Sequence, residues 1–399
     1  MKICAVIAEF DPFHLGHAFL FRKAREAGAD RIICLMSGNY VQRGAPAIAD
    51  RQVRTEMALL GGADLVLAYP ARFSCSSAES FASHAVAILD RLHAADFLAF
   101  GSEEGDLGRL TDCAEALLEE SPAFRASLKA GLKRGLSYPA ARAGALPEFE
   151  TLLAEPNNIL AVEYIKAILK TGSTLEPVTF RREGAGFHDL GTGGVFASAS
   201  GIRAVLAAGG EDAEQQIRRA AGDEVCDLLM RERGRYIGPD HFSLLLADRL
   251  FRAENPRDLT RYLAVSPELA AGIFGKRNHF TTLTEMAGLC AARSVPRSRV
   301  MRALLHIALG LEENPAAEEG LYAHVLGFRR ESAELCGRLR SQAEIPVIMN
   351  APRYREYPDP AFRTLFEEEI RLSNLYHYVR SSEGGSPFRN ELTKPLVIV

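Results

Sequence analysis

The stretch AEFDPFHLGHAFLFRKA, residues 8–24, sets two histidines and a proline between an apolar run and an amphipathic one. Upstream, ICAVIA at residues 3–8 is apolar throughout, as a strand covered on both faces must be. Downstream, residues 16–27 carry apolar side chains at helical spacing. The turn therefore puts a helix N-terminus at the carboxyl end of a strand. There the free backbone N–H groups and about +0.5 of partial charge attract a phosphate. His14 and His17, on one side of the first turn, can donate to phosphate oxygens that gain charge as a pyrophosphate leaves. Gly16 lets the backbone approach a ligand closely. With an ordinary pKa of ~6.5, each histidine needs only a modest phosphate-induced rise to be cationic at neutral pH. Two plainer readings stay open. The pair could be half of a metal site, although no Cys or third His lies nearby in sequence, or capping and core histidines with no ligand.

The same alternation continues outward. RIICLM (31–36), DLVLAYP (64–70) and DFLAFGS (96–102) read as further buried strands, with helices at 50–60 and 77–91 between them. This pattern predicts an α/β, Rossmann-like parallel sheet covered on both faces, with its ligand at the carboxyl ends of the strands. All four strands end there in polar or Gly-rich segments, at 9–17, 37–44, 70–77 and 101–105. PNNILAVEYIKAILK reads as a helix opened by Pro156, and LEPVTFRRE (175–183) as one more strand. GAGFHDLGTGG (184–194) reads as a loop, and SASGIRAVLAA starts a helix with Ser198 or Ser200 as its cap. The rest is predicted to be mostly helical, apart from an IPVIM strand at 345–349 and a Gly/Ser turn in SSEGGSPF (381–388). The expected division is a nucleotide-binding catalytic domain at 1–208 and a mostly helical region at 209–399.

Composition narrows the class. Apolar content of 47% with 25% charged residues is that of a globular chain, and 399 residues exceed one ordinary core. No run approaches the ~20 apolar residues of a membrane span, and the N-terminus has no cleavage signal, so a cytoplasmic protein is expected. The seven cysteines form no C-x-x-C pair and read as small core residues. A net charge of −4 excludes a protein that coats nucleic acid indiscriminately, though not one with a local basic face. Neither a G-x-x-x-x-G-K-[ST] nor a G-x-S-x-G motif is present, and GTGGVF at Gly191 lacks the strand context of a dinucleotide loop.

Taken in order, AEFDPFHLGH, MSGNYVQRGAPAIAD, GADLVLAYP, SAESFA, FGSEEGD, PNNILAVEYIKA, RREGAGFHD and ASASGIR closely resemble the tRNA(Met) cytidine acetate ligase family. That family belongs to the HxGH nucleotidyltransferase-like superfamily. The resemblance is dense over the N-terminal half and weaker through GKRNHFTTLTEMAGLCAARSVPRSRVMRALLHIALG. It implies a two-step reaction: ATP and acetate form acetyl-adenylate, and the acetyl group passes to N4 of the wobble cytidine of elongator tRNA(Met). ATP would then lie on Ile7, Ala8, Glu9, Phe10, Asp11, Pro12, Phe13, His14, Leu15, Gly16, His17, Ala18, Phe19 and Leu20, with His14 and His17 catalytic. Gly101, Asn157 and Arg182 would complete its site, and Ser200 and Arg203 would form a second phosphate loop. Asp11, Leu15, Ala45 and Ala68 stand where family members usually have Asn, Asn, Glu and Glu. Asp11 beside a triphosphate either needs a Mg2+ counter-charge or points elsewhere. For tRNA, the densest basic run of the second half is ARSVPRSRVMRALLH, with Arg297, Arg299 and Arg302, joined upstream by Lys276 and Arg277. Arg299, Arg302 and His306 would follow one another along one helical face. A nucleotidyltransferase acting on a small phosphorylated metabolite, and a non-catalytic RNA-binding protein with a nucleotide pocket, are the competing classes. The oligomeric state stays open.

Overall fold

Alternate residues of the first strand go to opposite sides of one sheet. In β1 (Ile3–Ala8), Ile3 and Ala5 enter one apolar core while Cys4 and Val6 enter another. β2 (Arg31–Ser37) splits in the same way, with Ile33 and Leu35 against Ile32, Cys34 and Met36. This period of two, with both sets apolar, is what a strand buried on both faces requires. The computed structural model describes residues 1–182, 198–384 and 387–399. The glycine-rich stretch 184–194 lies outside the described residues.

A short hairpin, β3 (Tyr40–Val41) and β4 (Ala45–Pro46), follows β2. β5 (Leu65–Tyr69), β6 (Phe97–Ser102) and β7 (Glu176–Arg181) complete the N-terminal strands. β8 (Ala323–Phe328), β9 (Val347–Ile348) and β10 (Val397–Ile398) come from the far end of the chain. The main sheet runs β10-β8-β5-β2-β1-β6-β7, with β9 on β8. All its pairings are parallel except β5 with β8. Between β1 and β6 the strand order reverses, which in doubly wound sheets opens the ligand crevice.

Four helices connect the first strands: α1 (Leu15–Glu26), α2 (Arg51–Leu60), α3 (Ala71–Ser74) and α4 (Ala78–Arg91). α1 and α2 bury Phe21, Met57 and Leu59 on one face, and α4 buries Phe81, Val86 and Leu89 on the other. A third core, helical, gathers residues between Ile237 and Leu311 with Leu372 and Tyr376. The chain contributes to the sheet from both sides of residue 208. Ile217, Val225 and Leu229 pack on the same face as α1, and β8 to β10 extend its edge. The helix Pro360–Gly384 runs into the segment expected to turn at 381–388. Ser381 and Ser382 there donate back to the carbonyls of His377 and Val379, which keeps both serines compatible with helix. Among the described residues no helix is long and apolar enough to cross a membrane.

Candidate active site

α1 begins one residue earlier than the apolar pattern predicts, because His14 is its N-cap. Gly16 N–H donates to His14 Nδ1 at 3.0 Å, and His14 N–H donates to His17 Nδ1 at 3.2 Å. The two imidazoles thus form a reciprocal capping box, which Ser and Glu more often supply. Both Nδ1 atoms are acceptors, so each neutral ring carries its proton on Nε2. Capping and ligand binding are therefore compatible: one nitrogen of each ring holds the helix and the other remains a donor. The rings stack with centroids 3.8 Å apart.

The cleft itself disfavours the cationic form of both histidines, so a phosphate would have to raise them from below their ordinary value. Burial, reinforced by the charges of Arg182 and Arg203, pushes His14 down to about 3. Burial, His14 and Arg182 hold His17 well below its ordinary value. Both are neutral N–H donors in a field supplied by arginines. Gly16 also serves a purpose other than ligand approach, since a Cβ there would lie 2.8 Å from His14 Cε1. Beneath the pair, Phe10, Phe13 and Phe21 pack on one another, with Phe10 edge-on to His17 at 4.9 Å. Phe10 holds φ +45°, a sparsely populated conformation for a bulky residue, with its side chain fully buried.

Asp11 points elsewhere than a metal. Its Oδ1 accepts from Ile48 N–H at 2.7 Å, and its Oδ2 pairs with Arg43 and, at 3.5 Å, with Arg203. Burial alone would raise this carboxyl, but Arg43, Arg203 and Arg54 outweigh it and keep it ionised. Arg203 also donates to the Asp11 carbonyl, so the helix Ala199–Ala208 is tied directly to the His14 turn. Ser198, rather than Ser200, caps that helix, and Ser200 is exposed 3.3 Å from it.

On the other wall, Arg182 N–H donates to the Ser102 carbonyl, and the Arg182 side chain runs along Gly101. A Cβ at Gly101 would meet Arg182 Cγ at 3.2 Å. Asn157 donates from its amide to Glu103 at 2.6 Å, and the other Glu103 oxygen accepts from Asn158 N–H. Of the residues expected around ATP, Ile7 and Ala8 end β1, Glu9 to His14 form the turn, and Leu15 to Leu20 begin α1. His14, His17, Arg182 and Arg203 share one electrostatic neighbourhood.

Three contributors were not singled out from sequence. Arg43 sits in the three-residue hairpin turn 42–44, where Gly44 takes φ +81°, a glycine-closed turn readable from VQRGAP. Arg54 is fully buried and donates to the carbonyls of Glu9, Ser37, Gly38 and Ala49, joining the ends of β1 and β2. Glu103 caps the helix Pro156–Thr171 from the strand end opposite. The last two act over long sequence separations, which no local pattern encodes.

The basic run of the second half is not one open patch. Arg297 and Arg299 are exposed on the helix Arg297–Leu309, bonded to the Thr284 carbonyl and to Ser266 Oγ. Arg302 is half-buried and donates to the Gln42 carbonyl, while His306 is fully buried between the carbonyls of Leu263 and Cys75. Lys276 bonds the Leu289 carbonyl, and Arg277 stacks on Phe274 at 3.6 Å.

Known proteins resemble this chain along its whole length. A family model described as HIGH Nucleotidyl Transferase matches residues 1–387. A Thermoanaerobacter sp. (strain X514) protein named tRNA(Met) cytidine acetate ligase is 34% identical over 405 residues, covering 99% of this chain and all of its own. An Acetivibrio thermocellus protein of the same name is 31% identical over 417 residues, covering both chains in full. Among solved structures, Thermotoga maritima TmcAL bound with alpha-thio ATP superposes with a TM-score of 0.87 at 29% identity over the whole of both chains. The apo form of that protein gives 0.89 at the same identity and coverage. Full-length identity above 30% and a shared fold along the whole chain lead to one conclusion: this chain belongs to the tRNA(Met) cytidine acetate ligase family.

Proposed function

We propose that the chain is an ATP-dependent ligase that acetylates N4 of the wobble cytidine of elongator tRNA(Met), through acetyl-adenylate. The observation that carries this reading is the pair of Nε2–H donors at the amino end of α1, set at the crevice between β1 and β6 among arginines. A carboxylate is a poor acyl donor because its leaving group would be oxide. An acetate oxygen attacks the α-phosphorus of ATP, the bond to the β-phosphate oxygen breaks, and pyrophosphate departs. His14 and His17 donate to the phosphate oxygens as charge builds there, with Arg182 and Arg203 supplying positive field. In the second step the cytidine N4 attacks the acetyl carbonyl, AMP leaves, and N4 loses a proton. Among the described residues no three His, Cys, Asp or Glu side chains cluster as a metal site, and Asp11 is taken by arginines.

The test is purified protein incubated with ATP, acetate and elongator tRNA(Met), followed by mass spectrometry of the nucleosides. N4-acetylcytidine that requires both ATP and acetate supports the reading, and its absence removes it. For docking of the tRNA we propose the exposed part of the basic run. Arg297→Glu with Arg299→Glu is expected to weaken tRNA binding about 10-fold or more and to flatten its salt dependence, because such residues meet backbone phosphates. Acetate-dependent pyrophosphate exchange should stay near normal. Unchanged tRNA affinity would remove this helix end as the docking face.

A further inference from the structure

A cavity of about 460 Å3 opens where the amino end of α4 faces the helical core, within the ~300–1,000 Å3 of small-ligand sites. None of the residues placed on ATP lines it. Its chemistry is two-ended. Arg299 and Arg302 line it together with Ser77 and Ser80 at the start of α4. Ser77 caps α4 by accepting from Ser80 N–H, and a helix beginning this way attracts an anion. His84 also lines it, its ring stacked on Phe73 at 4.0 Å between centroids. His84 Nδ1 lies 2.8 Å from the Ser80 carbonyl and donates to it, so neutral Nε2 keeps a lone pair and accepts. Glu313 and Glu318 add further acceptors at the lining.

A bare phosphate would use only the cationic part of this lining. A ligand with a phosphate at one end and N–H or O–H donors at the other uses both, and a nucleotide is such a ligand. The cavity is also joined to the cleft. Arg302 donates to the Gln42 carbonyl, and Gly44 packs so closely that a Cβ would lie 2.4 Å from Arg302 N. Between them Arg43 reaches Asp11 beside His14. We propose that this cavity seats one ribonucleotide of the tRNA next to the cytidine being acetylated, with its phosphate on Arg299, Arg302 and the amino end of α4 and its donors on His84. The proposal rests on the tRNA reading above.

Ser80 is the third residue of α4, where Glu or Gln completes a capping box with Ser77, so Ser80→Glu and Ser80→Gln should both fold. They have nearly the same shape and differ in charge. Ser80→Glu is expected to bind elongator tRNA(Met) about 10-fold more weakly than Ser80→Gln at low salt. Both should exchange pyrophosphate into ATP with acetate as the wild type does. Equal tRNA affinities in the two variants would overturn the proposal while leaving wild-type acetylation of tRNA, and hence the functional reading, intact. A wild type that neither binds nor acetylates tRNA would overturn both. Inorganic phosphate that protects the wild type but not Ser80→Glu from thermal unfolding, with tRNA affinities equal, would assign the cavity to a free anion and overturn the RNA occupant.

Discussion

His14→Asn and His17→Gln are each expected to lose ~10²–10⁴-fold in acetate-dependent pyrophosphate exchange, with little loss of stability. The reasoning separates the two nitrogens of each ring. Asn is a good N-cap, so His14→Asn keeps an acceptor for Gly16 N–H while removing the Nε2–H donor. Gln is the usual partner at the third position of a capping box, so His17→Gln keeps an acceptor for His14 N–H. Alanine would confound the two roles, because losing a cap costs about 1 kcal/mol by itself. Since burial holds both rings neutral, neither histidine should add a titration to the exchange rate of the free enzyme between about pH 5.5 and 8. Full exchange in the double variant would remove the histidines from the mechanism.

The second large effect concerns the clamp on α2. Arg51, fully buried at the start of α2, pairs with Glu391 from the C-terminal segment and with Glu369 at 3.3 Å. The other Glu391 oxygen pairs with His377 Nε2 at 3.0 Å, and Lys394 Nζ pairs with Asp50, the α2 N-cap, at 2.6 Å. Removing one partner strands a buried charge, so Glu391→Ala is expected to cost about 3–5 kcal/mol of unfolding free energy. The pH dependence has a definite sign. Burial alone would raise the Glu391 carboxyl, but Arg51 and His377 overcome it and hold it at about 2, below its ordinary 4.5. Glu391 therefore stabilises the fold above about pH 4.5, and that contribution disappears as the pH falls toward 2. Urea unfolding of wild type and variant across this range should show the gap closing in acid. A constant gap would show that the ion pair is not its source.

Because α2 also carries Arg54, this clamp supports the floor of the active site, and neither part of it is local in sequence. Arg51 meets Glu391 across 340 positions, and Arg54 meets Glu9 across 45. What could be read from sequence was what repeats or is spaced locally: the period-two burial of β1 and β2, the strand–turn–helix around His14, and the Pro-opened helix that brings Asn157 to the crevice. What escaped was pairing that only the folded chain brings about. AHVLGF sits among helical segments and gives no local sign that it will return antiparallel to β5 as β8. Sequence leaves two roles open for Asp11 beside a phosphate, and the fold decides between them by bringing Arg43 and Arg203 to its carboxylate. The histidines were legible as donors but not as neutral ones, because burial and two arginines decide that, and neither acts through sequence spacing.

The central claim is that the cleft activates acetate by adenylation, and the fate of the acetate oxygen tests it most directly. The protein is supplied with ATP, elongator tRNA(Met) and acetate labelled with 18O in both carboxylate oxygens, and the released nucleotide is weighed by mass spectrometry. Attack on the α-phosphorus leaves one labelled oxygen on AMP and none on pyrophosphate. ADP together with labelled inorganic phosphate would place the attack on the γ-phosphorus and contradict the account.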